Sequence, residues 1–292
     1  MSEFLAGAAS GTYVLLDCFT DAPLAGNQLA VFLARDEPLE ATLMQRTARE
    51  LNLSETVFLE PTSSPADVRA RIFTPQTELP FAGHPVLGAA VVQGFAERNE
   101  RVVLETAAAL VPVELDWDGA APFGRMEQPL PSWEPCEQVG AVLAALGGVR
   151  SLLPVETYTN GPRFVIVVLE SEAALAALAP DPAALLALGA IGVYCAAARG
   201  AAWEVRMFAP AFGVSEDPAT GSGAGLLATH LARHGLTAFS QDIEIHQGLR
   251  IGRPSLLHAR GSGGAERVVR VEGGGSAVIV GSGELALPGR GV

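Results

Sequence analysis

The sequence predicts an α+β protein built from two related halves. Short apolar strand patterns alternate with a few helical patterns along the chain. The passage that begins Arg71-Ile-Phe-Thr-Pro leads through small residues into an apolar helix pattern, and the passage that begins Arg206-Met-Phe-Ala-Pro leads into a second one. This internal repeat predicts two halves whose helix starts could face each other across one cleft.

The first half begins with a predicted strand hairpin. Apolar patterns at 13–19 and 29–33 flank a turn that contains Gly26 and Asn27, which indicates two paired strands. A tight turn is the simpler interpretation of this dipeptide, although an Asn side chain at such a tip could also hold a substrate oxygen. The other elements expected in this half are a helix at 38–51, strands at 56–59 and 69–73, a helix at 86–92, and one or two strands within 101–115.

Two titratable residues of the first half stand at element starts. Glu55 enters a strand from a short helix-to-strand connection, where a lone Glu is usually a solvated loop residue. If apolar walls bury it, its pKa should rise, and it could take and return a proton near neutral pH. His84 follows Gly83 at a helix start, where a capping or core histidine and a substrate-contacting histidine are equally good interpretations.

The second half repeats the order of the first. The segment 117–135, rich in Gly, Pro and acidic residues, is the best candidate for a domain boundary. The elements expected after it are a helix at 137–146, a strand at 164–169, a broken helical region at 172–188, and strands at 192–197, 243–245, 255–259, 268–271 and 277–280, with turns at 261–264 and 273–275.

The run Glu-Asp-Pro-Ala-Thr-Gly-Ser-Gly at 216–223 precedes the second repeated helix. The first amides of a helix have no intrahelical partner, so the start at Gly221 and Ser222 could bind an anion. Asp217 would place a proton-exchanging group beside these amides. An ordinary N-cap, with Asp217 or Thr220 satisfying the first turn, is the simpler alternative for the run taken alone.

Composition excludes several classes of function. The chain has 292 residues and a net charge of −13, which disfavours nucleic acid and anionic membranes as partners. All 19 basic residues are arginines, so pyridoxal-phosphate and Schiff-base chemistry and a P-loop lysine are impossible. No apolar run is long enough to span a bilayer, no secretion signal is recognisable, and three widely spaced cysteines argue against disulfides. We therefore expect a cytoplasmic protein.

Two further motifs lie within the second repeated helix pattern. His230 and His234 are four residues apart, which is metal-ligand spacing, but no third ligand is evident nearby, and we expect helix-surface histidines and no metal. The glycines at 221, 223 and 225 are similar to a dinucleotide-binding loop, but Leu226 occupies the position of the third glycine of that fingerprint.

Several short passages, in the expected order, resemble the PhzF (phenazine-biosynthesis) family, which is related by fold to diaminopimelate epimerase. Each passage is weak alone, but the series is specific. The passages are Asp17-Cys-Phe-Thr with Gly26-Asn27, Asn52-Leu-Ser-Glu-Thr, Phe73-Thr-Pro, Glu78 through Pro85, Arg206 through Pro210 with Glu216 through Ser222, and Gln247-Gly248 with Gly252 through Ser255.

The resemblance implies a fold and an assembly. It implies two pseudo-symmetric domains, each a curved, barrel-like mixed sheet around a central helix, with the active site between them. We assign residues 12–125 to the first domain, which 280–292 could complete, and 126–279 to the second. Family members are commonly homodimers and use no metal or organic cofactor.

The resemblance also implies an isomerase that moves a proton within a small carboxylate such as trans-2,3-dihydro-3-hydroxyanthranilate. Glu55 matches the acid/base, and residues matching His84, Asp217 and Ser222 assist it. The helix-start amides near Gly83, Gly221 and Ser222 would hold the substrate carboxylate. The alternative is a member of the same fold that binds a metabolite or protein without turnover, but three titratable groups converging on one pocket favour the enzyme.

Overall fold

A computed structural model describes residues 9–34, 38–189 and 191–287. The first half contains eight strands and two helices: β1 (Ala9–Cys18), β2 (Asn27–Phe32), α1 (Ala41–Leu51), β3 (Glu55–Glu60), β4 (Val68–Phe73), β5 (Glu78–Leu79), α2 (Gly83–Gly94), β6 (Arg101–Glu105), β7 (Leu110–Asp116) and β8 (Phe123–Glu127). The hairpin predicted at 13–33 is confirmed, because β1 and β2 pair in antiparallel fashion.

The described part of the second half contains nine strands, four α-helices and two short 3₁₀ turns. Its main elements are β9 (Ser132–Pro135), α3 (Val139–Ala145), β10 (Glu156–Thr159), β11 (Arg163–Leu169), α4 (Glu172–Ala176), α5 (Pro182–Ala187), β12 (Gly192–Arg199), β13 (Ala202–Ala209), β14 (Val214–Asp217), α6 (Gly221–Arg233), β15 (Ile243–Gln247), β16 (Ser255–Gly263) and β17 (Val268–Leu287). The segment 117–135, the candidate domain boundary, contains strands β8 and β9.

The strands form one continuous mixed sheet, which closes into a barrel in the first half. The closed order is β1-β2-β3-β4-β6-β7-β8-β17, and β17 returns to β1. In the second half the order runs β9-β10-β11-β12-β13-β15-β16-β17. Helix α2 lies inside the first barrel, and α6 packs against β11, β16 and β17 of the second sheet. The predicted α+β architecture, with a curved mixed sheet around a central helix, is confirmed.

Both central helices are buried on nearly all sides and consist mainly of small and apolar residues, as expected for a helix surrounded by a sheet. Nearly every residue of α2 and all residues of α6 from 221 to 232 are buried. Outside the barrels, α1 packs on Phe58 and Phe73, and α3, α4 and α5 cover the outer face of β11 and β12. No described helix combines the length and apolarity needed to cross a membrane.

Strand β17 belongs to both halves. Its first part pairs with β16 and β8, and residues 277–287 pair with β1. The turn expected at 273–275 is therefore wrong. These glycines lie within the strand, at positions where neighbouring side chains leave little room for a larger residue. A Cβ on Gly273 would meet Gln128 at 2.5 Å, and one on Gly275 would meet Phe19 at 2.4 Å. We propose the domain division at 125/126, with the end of β17 returning to the first half; 288–292 lie outside the described residues.

An arginine–glutamate pair marks the repeat in three dimensions. Arg71 donates from Nε to Glu78 at 2.8 Å, and Arg206 donates from Nε to Glu216 at 3.0 Å, each with a second bond from Nη2. Each guanidinium also lies over the ring of the phenylalanine two residues later, at 5.3 and 5.0 Å. Both halves thus brace the loop before their central helix in the same way.

Candidate active site

A cleft lies where the starts of α2 and α6 meet. It encloses about 560 Å³, counted out to its open mouth. Its walls are mostly apolar, and its polar groups converge on one end, which is the usual composition of a small-molecule site. The apolar lining includes Leu79, Pro162, Phe164, Met207, Ala209, Phe212 and Val214, and the polar end holds Glu55, His84, Asp217, Thr220 and Ser222.

Glycines allow the two helix starts to touch. A Cβ on Gly83 would lie 2.4 Å from the backbone nitrogen of Ser222, and one on Gly221 would lie 3.1 Å from the carbonyl carbon of Gly83. Any side chain at Gly83 would push the helices apart. The expectation that the starts face each other across one cleft therefore holds.

Neither helix start is closed by its own N-cap side chain. Ala82 precedes α2 and has no group to offer, and Thr220 precedes α6 without bonding the amides of the first turn. The first amides of both helices have no intrahelical carbonyl to bond, and both helix dipoles point their positive ends at the cleft. An anion in the cleft would be stabilised from two sides.

Glu55 and His84 face each other at the polar end. Oε2 of Glu55 lies 3.2 Å from Nε2 of His84. The geometry is too misaligned for a hydrogen bond, and both atoms are buried without a hydrogen-bond partner among the described residues. Buried polar atoms are rarely left unpaired, so such a pair in a cleft points to a ligand as the missing partner.

Asp217 and Asn27 form the base of the site. Asn27 donates from Nδ2 to Oδ1 of Asp217 at 2.8 Å and to the carbonyl of Ala219 at 2.9 Å. Thr220 donates its hydroxyl to Oδ2 of Asp217 at 2.5 Å. Nδ2 of Asn27 also lies 3.3 Å from Nδ1 of His84. The side-chain amide of Asn27 therefore contacts both Asp217 and His84 from behind the cleft.

Burial shifts the pKa of all three titratable groups of the site. Burial raises the pKa of Glu55 well above its ordinary value, and the nearby charge of Asp217 raises it further. Burial also raises the pKa of Asp217 to about 7, although the bonds from Thr220 and Asn27 oppose this rise. Burial lowers the pKa of His84 to about 3, so its imidazole is neutral.

The predicted site residues come together with one difference in position. Glu55, His84, Asp217, Gly83, Gly221 and Ser222 all line the cleft. Asn27 is fully buried behind His84 and Asp217 and does not line it. A buried Asn27 can hold the site residues in place, but it reaches no substrate directly.

The loop that carries Asn27 is tied to the second half. Gly26 has φ +66°, and a Cβ there would meet the carbonyl oxygen of Cys18 at 2.3 Å. Arg253 donates to the carbonyls of Ala25 and Gly26 and pairs with Asp17 at 2.5 Å. The position of Asn27 therefore depends on an arginine more than 200 residues away in the chain.

Sequence reasoning missed three groups that support the site. Ser54 donates its hydroxyl to Oδ1 of Asn27 at 2.9 Å, and Thr220 and Gln247 brace Asp217. Each stands next to a motif residue or within one, which was the only available signal. The partners of Ser54 and Gln247 are about 30 residues away in the chain, so no local pattern indicates those contacts, whereas Thr220 bonds Asp217 within the same motif.

The expectation of helix-surface histidines at 230 and 234 is wrong for His230, which is fully buried. Oε2 of Glu156 lies 3.2 Å from Nδ1 of His230 and 3.1 Å from Nε2 of His234, and it accepts from Arg233 at 2.7 Å. Tyr158 also donates to it. The two histidines and Glu156 have metal-ligand types, but the guanidinium already supplies the positive charge at that oxygen.

Comparison with known proteins identifies the family. The family model described as phenazine biosynthesis-like protein, PhzC-PhzF, matches residues 16–283. The chain belongs to the PhzF family. It is 49% identical over 276 residues to the trans-2,3-dihydro-3-hydroxyanthranilate isomerase of Pseudomonas chlororaphis, covering 94% of this chain and 99% of that one. Such named relatives support an isomerase activity for this PhzF protein.

Solved structures agree with the fold. A predicted epimerase from Pseudomonas aeruginosa superposes with a TM-score of 0.81 at 31% identity, covering 94% of this chain and 99% of that chain. A hydroxyproline epimerase from Agrobacterium vitis superposes with a TM-score of 0.64 at 16% identity, covering 96% and 94%. The second likeness concerns the fold alone, which is that of diaminopimelate epimerase.

Proposed function

We propose that this PhzF-family protein is an isomerase that moves a proton within a small cyclic carboxylate, with trans-2,3-dihydro-3-hydroxyanthranilate as the leading candidate. The observation that carries the proposal is the position of Glu55. Its Oε2 is buried, faces His84 at 3.2 Å, and has no hydrogen-bond partner among the described residues. The identity of 49% to named isomerases supports the choice of substrate.

Glu55 acts as the proton-transfer group. Its carboxylate removes a proton from one carbon of the substrate, and the resulting acid returns the proton to another carbon. The electron pair left by the first step spreads into the conjugated system and the substrate carboxylate. Burial and the charge of Asp217 make the Glu55 carboxylate a stronger base than a solvated one, which suits removal of a proton from carbon.

The helix starts stabilise the developing negative charge. Free amides of α2 and α6 at Gly83, Gly221 and Ser222 would bind the substrate carboxylate, and the two dipoles add to their effect. No arginine lines the cleft among the described residues, so these amides carry the anion-binding role. The apolar walls exclude water and strengthen each of these interactions.

His84 and Asp217 orient the substrate and the proton-transfer group. Nδ1 of His84 faces the donor Nδ2 of Asn27, so the hydrogen of the neutral imidazole belongs on Nε2. Nε2 lies 3.2 Å from Oε2 of Glu55 without forming a hydrogen bond, so its hydrogen is free to be donated to a polar group of the substrate. Asp217 lies beside them, held in place by Asn27 and Thr220.

Solvent deuterium exchange followed by proton NMR tests the proposal. The candidate isomerase substrate is incubated in D₂O with the parent enzyme, with Glu55→Gln, and with Glu60→Gln as a control on the same strand outside the cleft. We expect deuterium to enter with the parent and the control, and at a rate lower by about 10²–10⁴ with Glu55→Gln. Equal exchange with all three would contradict the assignment, and binding without exchange by the parent would favour a non-catalytic member of the fold.

We further propose that the protein works in the cytoplasm as a homodimer. The family resemblance and three free cysteines support this setting. Light scattering coupled to size-exclusion chromatography should give twice the mass of the 30.3 kDa chain.

A further inference from the structure

Gln247 lies fully buried at the end of β15 and brackets the turn before α6. Its Nε2 donates to the carbonyl of Asp217 at 2.8 Å and to Oγ1 of Thr220 at 2.9 Å. Its Oε1 accepts from the backbone N–H of Thr220 at 3.1 Å and from the hydroxyl of Tyr194 at 3.4 Å. All of its hydrogen-bonding capacity is used within the protein.

The direction of these bonds is fixed by the backbone. A carbonyl can only accept and an N–H can only donate, so Nε2 must face Asp217 and Oε1 must face the amide of Thr220. Because Nε2 donates to Oγ1 of Thr220, the one hydroxyl hydrogen of Thr220 is left for Oδ2 of Asp217, at 2.5 Å. Asn27 donates to the other oxygen.

Glu55 has the opposite surroundings. Both oxygens of Asp217 receive a hydrogen from a neighbour, whereas Oε2 of Glu55 receives none from the described residues. The two buried carboxylates line one cleft and the charge of Asp217 acts on Glu55, so both cannot be charged without cost and one of them keeps a proton. The other titratable groups near the pair are His84 on α2, Tyr194 on β12 and Cys18 on β1, and burial keeps all three neutral.

We infer that Gln247 and Thr220 are positioning residues that keep Asp217 ionised, so that the proton shared by the two carboxylates resides on Glu55. The inference rests on the proposed function, because it specifies how the proton-transfer group of that site is loaded. The bond from Thr220 opposes the rise that burial causes in the pKa of Asp217, in agreement with this arrangement.

The test is a carbon-13 NMR titration of protein labelled at the aspartate side-chain carboxyl carbon, with the Asp217 signal assigned by its loss in Asp217→Asn. Thr220→Val removes the hydroxyl and keeps the shape, and Thr220→Ser restores the hydroxyl. Gln247→Met keeps the side-chain length without the amide. The matched control is Gln128→Met: Gln128 is also buried and donates to the carbonyl of Gly221 at 2.8 Å, but it makes no bond to Asp217 or Thr220.

We expect the midpoint of the Asp217 titration to rise by about one pH unit in Thr220→Val and by less in Gln247→Met, because a bond to the charged form is lost. Thr220→Ser and Gln128→Met should keep the midpoint of the parent. A midpoint unchanged in both Thr220→Val and Gln247→Met would overturn the inference, as would an equal rise in Gln128→Met, which would indicate loosening of α6.

The titration does not depend on turnover, so it separates this inference from the proposed function. If the function also holds, the acidic limb of the rate profile, which includes the titration of Asp217, moves to higher pH with the NMR midpoint. A moved midpoint in a protein that exchanges no deuterium into the candidate substrate would leave the inference standing and refute the proposed reaction. An unchanged midpoint in a protein that exchanges deuterium fully would refute the inference and leave the proposed reaction standing.

Discussion

Gly83 and Gly221 meet in backbone contact at the starts of the two central helices: a Cβ on Gly83 would lie 2.5 Å from the carbonyl carbon of Gly221. The contact sets the width of the cleft, because the amides proposed to bind the substrate carboxylate belong to these same turns. No side chain larger than hydrogen is compatible with it.

Gly83→Ala should therefore separate the helix starts and weaken catalysis. We expect kcat/KM to fall by about 10²-fold, because small misplacements of anion-binding groups are costly, and stability to fall by about 1–3 kcal/mol from overpacking. Steady-state kinetics and thermal unfolding measure the two effects. Gly140→Ala is the control, since a Cβ on this α3 glycine meets nothing within 4 Å. Parent-like kinetics in Gly83→Ala would contradict the role of the contact.

The rate of isomerisation should increase with pH through the neutral range. Burial raises the pKa of Glu55 well above its ordinary value, so the carboxylate that takes the substrate proton is a minor form at neutral pH. Its fraction, and with it kcat/KM, grows by up to about tenfold for each pH unit below that pKa. Rate profiles of the parent and of Glu60→Gln should coincide. A rate that falls over the same range would mean that Glu55 begins the reaction as an acid.

Glu55→Gln should make the protein more stable at high pH while it removes activity. A carboxyl with a higher pKa in the folded chain than in the unfolded chain favours folding at low pH, and this advantage is lost as pH rises through the folded pKa. A glutamine has no such loss. We expect Tm to exceed that of the parent by a few degrees above neutrality, at about 2–4 °C for each kcal/mol, and to approach it near pH 4.5. A constant difference at every pH would contradict this explanation.

The two repeated arginine–glutamate pairs should differ in their contribution to stability. The side chain of Glu216 is 12% exposed, whereas that of Glu78 is 38% exposed. Arg206 also donates to the carbonyls of Leu175 and Leu178, so loss of its partner leaves a buried charge. Denaturant unfolding should show a loss of about 3 kcal/mol for Glu216→Gln and about 1 kcal/mol or less for Glu78→Gln. Equal losses would show that burial does not set the difference.

The sequence predicted the parts of the site that local chemistry determines. Gly83 and Gly221 lie at helix starts, as their local patterns indicate, whereas the local pattern at Glu55 favoured a solvated residue and only the family resemblance indicated its place in the site. The position of a residue relative to the cleft was harder to predict from the sequence. Asn27 is buried behind His84 instead of lining the cleft, because Arg253 of the other half holds its loop.

Contacts between residues that are distant in the chain could not be predicted. His230 was expected at the surface because no third metal ligand was evident near it in the sequence, but Glu156 and Tyr158 of β10 contact it in the interior. The glycines at 273–275 were expected to form a turn, because Gly commonly breaks strands. They are required because Gln128, Gly124 and Phe19, which are distant in the chain, approach them closely, and no pattern within β17 reveals this.

The return of β17 has a consequence for the growing polypeptide. Strand β1 is made first, yet one of its two neighbours, residues 277–287, is made nearly last. Until that segment leaves the ribosome, β1 presents a bare row of peptide groups to other newly made chains, which is a setting for aggregation. Folding of this barrel is therefore complete only when residues 277–287 of β17 have paired with β1.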